Sequence, residues 1–152
     1  MKSKTSKKPK RETISSLKKK AWTAFSRYIR LRDGLKTMGS TEYGKCITCG
    51  EVVPLWTRGG MQAGHFIDGR SASILFDEDL VHGQCSRCNL YKSGNKDAYT
   101  PIMIDRYGLE RVQEMWRQKN IIHRWTKEEL NNIIQKYNEL YKFMVSNNPT
   151  HG

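Results

Sequence analysis

DLVHGQCSRCNLYKSGN, residues 79–95, holds Cys85 and Cys88 two residues apart, and CITCG at 46–50 holds Cys46 and Cys49 in the same way. These are all four cysteines of the chain, and 35 residues separate the two pairs. Two intervening residues let both sulfurs of one turn face one ion, so four thiolates at this spacing match a tetrahedral Zn2+ site. Gly50, directly after Cys49, gives the backbone the freedom to fold back toward its sulfurs. Two disulfides fit less well, because each pair would close a strained small loop and nothing in the sequence signals export. A redox Cys-x-x-Cys fits worse still: there are two pairs and no thioredoxin-like βαβ pattern. Zinc contributes ~10–16 kcal/mol to folding at such sites in peptides. That matters in a chain of 152 residues of which only 37% are hydrophobic.

Working outward from the two pairs, EVVPLW, a Gly59-Gly60 turn and MQAGHFI up to Ile67 read as short strands joined by turns. Residues 68–79 read as a polar loop, and Leu80–Gln84 as one more short strand. The second pair opens a short helix that Gly94 and Asn95 end. Upstream, Ser15 or Ser16 caps a helix whose apolar stripe is Leu17, Ala21, Ala24, Phe25, Tyr28 and Leu31, with Arg27, Arg30 and Arg32 off it. That stripe reads as core rather than as a platform for bases. Residues 39–45 break the helix. Downstream, Thr100-Pro101 predicts the start of a helix that Gly108 stops. Leu109–Lys119 predicts another. The capping box Thr126–Glu129 starts the last, whose stripe runs through Leu130, Ile133, Ile134, Tyr137, Leu140, Tyr141 and Met144. The fold class is α+β, a zinc-stapled core with flanking helices. One domain is expected over 15–145, with a disordered basic arm at 1–14 and a frayed tail at 146–152.

The chain carries a net charge of +12. Residues 1–20 hold eight Lys and one Arg against a single Glu, so two-thirds of that net charge lies where there are almost no apolar residues. The balance favours nucleic acid or an anionic membrane surface as partner. No apolar run approaches the ~20 residues of a membrane span, and no apolar segment follows the basic start as a secretory signal requires. Lys7, Lys8, Lys10 and Arg11 are candidate phosphate contacts of the arm, and a solvated tail is the plainer alternative.

Between the knuckles, Gly64-His65-Phe66-Ile67 closes a strand, and Asn89 follows the last cysteine. One ion joining the two knuckles brings these segments close. That layout can set an imidazole base beside an oxygen ligand for a hard cation.

AWTAFSRYIRLRD (21–33), CITCG, MQAGHFIDGR (61–70) and DLVHGQCSRCNLYKSGN together resemble the HNH, or ββα-metal (His-Me finger), nucleases of treble-clef type. They are most similar to the phage recombination endonucleases of the NinG/Rap family and more distantly to phage endonuclease VII. The resemblance implies a structural zinc on the four cysteines and a catalytic Mg2+ or Mn2+. It implies action on branched DNA such as Holliday junctions and D-loops, by a phage protein in the host cytoplasm. It makes His65 the general base that activates water and Asn89 the ligand of the catalytic ion. Two positions depart from the pattern. Gly64 stands where many such nucleases have a metal-binding Asp, and Leu80 where many have an Asn that orients the His. The ion then rests on Asn89 with waters and substrate phosphate, as in relatives with a single Asn ligand, or else Asp68, Asp79 or His82 completes its ligands, and the group that holds the His65 tautomer is open.

The expected reaction is phosphodiester hydrolysis, with Arg70, Arg87 and Lys92 as candidate grips on neighbouring phosphates. A junction resolver makes two matched cuts, which suggests a C2 homodimer. The stripe from Leu130 to Met144 is a candidate interface, or packs on its own domain. The rival readings are a zinc-finger DNA-binding module without catalysis, and a zinc-stabilised RNA-associated protein favoured by charge alone.

Overall fold

The first helix begins with a capping box. Thr13 accepts from the Ser16 amide at 3.1 Å, and the Ser16 hydroxyl in turn accepts from the Thr13 amide at 3.0 Å. In this computed structural model, which describes residues 11–69 and 73–149, α1 therefore runs Ile14–Met38. The cap is Thr13, not Ser15 or Ser16, because only Thr13 keeps an extended backbone (φ −89°, ψ 160°) while bonding the next turn. Residues 1–10 of the expected arm lie outside the described residues.

Four short strands follow: β1 Tyr43–Lys45, β2 Val52–Pro54, β3 Gln62–His65 and β4 Val81–Gln84. β1 forms inside the Gly/Ser-rich stretch expected only to break α1. β1 pairs antiparallel with β2 around the first Cys knuckle, and β3 pairs antiparallel with β4 in the register Gly64↔His82 and His65↔Val81. One π-helical turn, Arg87–Tyr91, carries the second Cys pair onward. Three helices complete the chain: α2 Lys96–Tyr107, α3 Leu109–Gln118 and α4 Lys127–Asn147. The architecture is a helical frame around two small antiparallel sheets, in the α+β class.

The expected start of α2 at Thr100-Pro101 is corrected by five residues. Tyr99 and Met103 are both fully buried and must share a face, which the i, i+4 spacing of a helix provides. The helix therefore opens behind Asn95, whose carbonyl accepts from the Tyr99 amide at 3.0 Å. Pro101 then sits inside α2, where its missing N–H forfeits a single backbone bond. The loop 68–79 is not wholly polar either: Ile74 and Leu75 are buried, and Ile74 joins Phe66, Leu80, Tyr99 and Met103 in one core cluster.

α4 starts on the expected capping box, with Thr126 accepting from the Glu129 amide at 3.1 Å. Its apolar stripe packs on the domain itself. Leu130 lies with Leu17 and Ala21, and Tyr137 meets Phe25 edge-on at 4.9 Å between ring centroids. Each fully buried Leu or Phe in that seam is worth about 1.5–3 kcal/mol.

α1 also stitches the β3–β4 hairpin through its polar side. Arg32 donates to the Glu78 and Val81 carbonyls at 2.9 and 2.8 Å. Buried Asp33 accepts from the Gly83 amide at 2.7 Å. No described helix is long and apolar enough to cross a membrane.

Candidate functional site

The four cysteine sulfurs converge. The Sγ atoms of Cys46, Cys49, Cys85 and Cys88 all lie within 4.8 Å of one another, and Cys49 is 3.7 Å from Cys85. A tetrahedral Zn2+ with Zn–S bonds of about 2.3 Å sets its sulfurs about 3.8 Å apart, so the donor set fits zinc. No pair is disulfide-bonded. Gly50 adopts φ +77° and its amide donates to the Cys46 carbonyl at 2.9 Å, which folds the first knuckle back on itself. Donors that soften the charge of bound thiolates are in place: the Cys88 amide on Cys85 (3.4 Å) and the Asn95 amide on Cys88 (3.5 Å).

Asn89, directly after the last of these cysteines, lines a cleft of about 1050 Å³. His65 from the end of β3 and Asn89 from the π-turn both line it, as do Lys18, Lys19, Trp22 and Arg30 of α1, and Asp68. The two residues singled out by spacing therefore share one site, facing a helix that supplies three cations.

Among the described residues, a carbonyl and an aromatic ring orient His65. Its Nε2 lies 3.2 Å from the Leu75 carbonyl. A carbonyl only accepts, so this bond puts the proton on Nε2 and the basic lone pair on Nδ1. The Leu75 carbonyl thus holds the tautomer that the sequence left open. The ring also stacks on Trp22, with centroids 4.8 Å apart and planes 17° from parallel. Below it, Lys96 donates to the His65 and Phe66 carbonyls, the latter at 2.7 Å, and the Tyr99 hydroxyl donates to the Gly64 carbonyl at 2.9 Å. Burial lowers the Lys96 pKa, against the pull of Asp68 at 3.6 Å.

Asn89 donates its amide nitrogen to Gln62 Oε1 at 2.7 Å. Its Oδ1 is therefore the atom it offers to a hard cation.

Gly64 has a steric reason. A Cβ there would lie 1.9 Å from Gln84 Oε1, and Gln84 is fully buried with its amide nitrogen on the Gly94 carbonyl (2.9 Å) and the Thr48 hydroxyl (3.1 Å). The slot that an Asp would need is filled by Gln84. Leu80 in its turn is buried in the core.

The remaining candidates are dispersed. His82 is not on the cleft. It is a buried residue of β4, with Nε2 2.9 Å from the Asp79 carbonyl and Nδ1 3.2 Å from Arg32. Burial, aided by Arg32 and Arg106 and opposed by Asp33, pushes its pKa down to about 4. With both ring nitrogens engaged in this network it does not serve as an ion ligand. Asp79 is held with Asp77 by Arg111 at 3.2 and 3.3 Å. Of the three substitutes for a second ligand, Asp68 alone lines the cleft. Arg87 is exposed beside the first knuckle, 3.8 Å from Glu51, and Lys92 is exposed next to the π-turn. Arg11 is exposed ahead of α1. Lys7, Lys8, Lys10 and Arg70 lie outside the described residues.

Among the described residues, the four cysteines are the one group of three or more Cys, His, Asp or Glu placed to share an ion. The cleft has no prebuilt carboxylate cage. Mg2+ commonly takes one or two protein oxygens and fills its shell with water and substrate phosphate, and the cleft lining offers two oxygen-bearing side chains of that kind, Asn89 and Asp68, the latter 3.6 Å from Lys96. Sequence reasoning missed Trp22, Lys18, Lys19, Gln62 and Lys96. The helical spacing of Lys18, Trp22 and Ser26 around the buried stripe was the available signal for α1. Nothing local announces Lys96, which acts on a carbonyl 31 residues away.

A family profile described as Bacteriophage Lambda NinG protein matches residues 1–146. The chain is 38% identical over 125 residues to Protein ninG of Escherichia phage 933W, covering 82% of this chain and 56% of that one. Over the same length it is 36% identical to Protein ninG of Escherichia phage lambda and 35% to that of Salmonella phage P22, each match covering 82% of this chain and 55% of the relative. The chain thus spans about half the length of the curated relatives it matches. No solved structure matches it.

Proposed function

The chain belongs to the phage lambda NinG family, and from that premise we propose that it is a metal-dependent DNA endonuclease with a treble-clef, HNH-type core, acting on branched recombination intermediates. The observation that carries this reading is the shared cleft of His65 and Asn89, faced by Lys18, Lys19 and Arg30. The branched substrate class rests on the resemblance to recombination endonucleases.

His65 Nδ1 takes a proton from water, whose oxygen attacks phosphorus in line as the bond to the 3′ oxygen breaks. The Leu75 carbonyl and the Trp22 ring keep the imidazole in the orientation and tautomer that this needs. Asn89 Oδ1, with Asp68 across the same cleft, would hold a divalent cation, which supplies positive charge to the attacked phosphate and the leaving oxygen. Lys18, Lys19 and Arg30 bind the phosphates on either side. Zinc on the cysteines keeps β3 and the π-turn in register and takes no part in the chemistry.

The test pairs metal content with cleavage of a four-way junction. The nuclease reading expects protein that retains zinc but has been stripped of Mg2+ to stay folded and idle, and to recover cleavage on addition of Mg2+ or Mn2+. A zinc-loaded protein that binds junctions and cleaves none with either ion would instead be the non-catalytic DNA-binding module.

A further inference from the structure

Directly after Asn89 stand two large hydrophobic residues in water. Leu90 is 59% exposed and Tyr91 84% exposed. Single exposed apolar residues are ordinary. These two are neighbours, Leu90 lines the same cleft as His65 and Asn89, and the backbone that carries them is unusual.

Leu90 and Tyr91 end the π-turn Arg87–Tyr91, a rare wide turn that is frequent at functional sites. Its entry is fixed by Cys85 and Cys88, with the Asn89 amide on the Cys85 carbonyl at 3.0 Å. Its exit runs through three consecutive residues of positive φ: Ser93 at 49°, Gly94 at 89° and Asn95 at 50°. Two of these are not glycine, a conformation that costs free energy and persists where the surroundings enforce it. The Gly94 amide closes the loop onto the carbonyls of Cys88 and Asn89 at 2.9 and 3.1 Å. The backbone of the tip is thus held at both ends, so little backbone freedom is lost when it meets a ligand.

Charge indicates what the tip meets. Exposed Arg87 and Lys92 flank it, and Lys18 and Lys19 line the facing wall of the cleft. An aromatic face among cations suits a base and its phosphates. We infer that Leu90 and Tyr91 form a stacking wedge for an unstacked nucleobase where a DNA duplex is interrupted, at the mouth of the His65–Asn89 cleft. An intact duplex keeps its bases stacked on one another and offers Tyr91 no face, whereas a branch point does. The inference rests on the nuclease reading for its substrate and would make this tip the source of preference for branched DNA.

The experiment uses the full chain and its Tyr91→Ala, Tyr91→Phe and Leu90→Ala variants. Two readouts are taken: cleavage of a four-way junction against a linear duplex of the same sequence, and fluorescence of 2-aminopurine at the branch, recorded in a His65→Ala background. Tyr91→Ala should lower the junction-to-duplex cleavage ratio on the order of tenfold, the scale of removing one base–aromatic stack. It should also abolish the 2-aminopurine change, and Tyr91→Phe should restore both. A ratio unchanged by Tyr91→Ala overturns the wedge and leaves the nuclease reading standing. If the parent chain cleaves neither substrate, the nuclease reading fails. The fluorescence then decides alone, with a change that needs Tyr91 supporting the wedge and no change overturning it. If Tyr91→Ala shifts the oligomeric state by light scattering and leaves both DNA readouts intact, the tip is a protein interface and the inference is wrong.

Discussion

His65, Gly64 and His82 lie within one hairpin and show how differently neighbouring positions can be used. His65 is aimed into the cleft by a carbonyl and a stacked indole. Gly64, one residue earlier, is glycine because Gln84 fills the space beside it. Gly64→Ala should therefore destabilise the fold by about 1–3 kcal/mol, as overpacking does in a core, measured by urea unfolding of the zinc-loaded protein. An unchanged midpoint would mean that Gln84 swings aside at no cost. His82, opposite Gly64 in the register, is buried in its neutral form. Its pKa is about 4 in the folded protein against an ordinary 6.5. Between these values the unfolded chain binds a proton that the folded one does not. The stability His82 contributes is thus fully present above pH 6.5 and is lost as pH falls toward 4. The gap corresponds to about 3 kcal/mol. His82→Gln should flatten that part of the pH dependence relative to the parent chain, and parallel profiles would remove His82 as its cause. At this scale the sequence revealed the residues whose signal is local. The cysteines stand at a diagnostic spacing, and His65 and Asn89, placed by their positions between and after the pairs, share one cleft. Lys96 and Leu75 could not be found that way, because Lys96 acts from 31 residues away and Leu75 acts through its backbone carbonyl, which no side-chain pattern marks.

The zinc clamp and the α1–α4 seam hold the elements. Cys85 lies at the junction of β4 and the π-turn, so its removal frees both from the first knuckle. Cys85→Ser should release zinc and unfold the β3–β4 region, seen as loss of bound metal together with a fall in circular dichroism. A folded, zinc-free variant would count against a structural role for the metal. Leu130 is fully buried between α4 and α1, and Leu130→Ala should cost about 2–5 kcal/mol, again by urea unfolding. The helices with strong apolar periods, α1, α3 and α4, were legible in the sequence. The start of α2 was not, since Pro101 signals a first turn while the burial of Tyr99 and Met103 demands an earlier one. β1 was masked by glycine and serine around three residues that pair only because β2 returns beside them. The polar side of α1 was undervalued: Arg32 and Asp33 fall off the apolar stripe yet fasten the hairpin that carries His65.

For the molecule as a whole, residues 1–20 carry eight Lys and one Arg against one Glu, and two of the cations on the cleft wall, Lys18 and Lys19, belong to that stretch. Thr13 caps α1 and Glu12 pairs with Lys20, so the stretch can be removed cleanly only up to residue 10. Deleting residues 1–10 should weaken binding to all DNA alike and reduce its salt slope by ~0.9 for each phosphate that the arm neutralises. An unchanged slope would show that these residues do not touch the backbone. The packing of α4 on α1 uses up the stripe that was a candidate to join two copies, so a dimer would need another surface.

The account turns on His65 as the base, and one measurement bears on it directly: cleavage of an end-labelled four-way junction in Mg2+ or Mn2+ by the parent chain and by His65→Ala, with junction binding followed alongside. Loss of a general base lowers the rate by about 10²–10⁴-fold, so the variant should bind the junction as the parent does and cleave it at least about a hundredfold more slowly. A His65→Ala protein that cleaves at the parental rate would contradict the account.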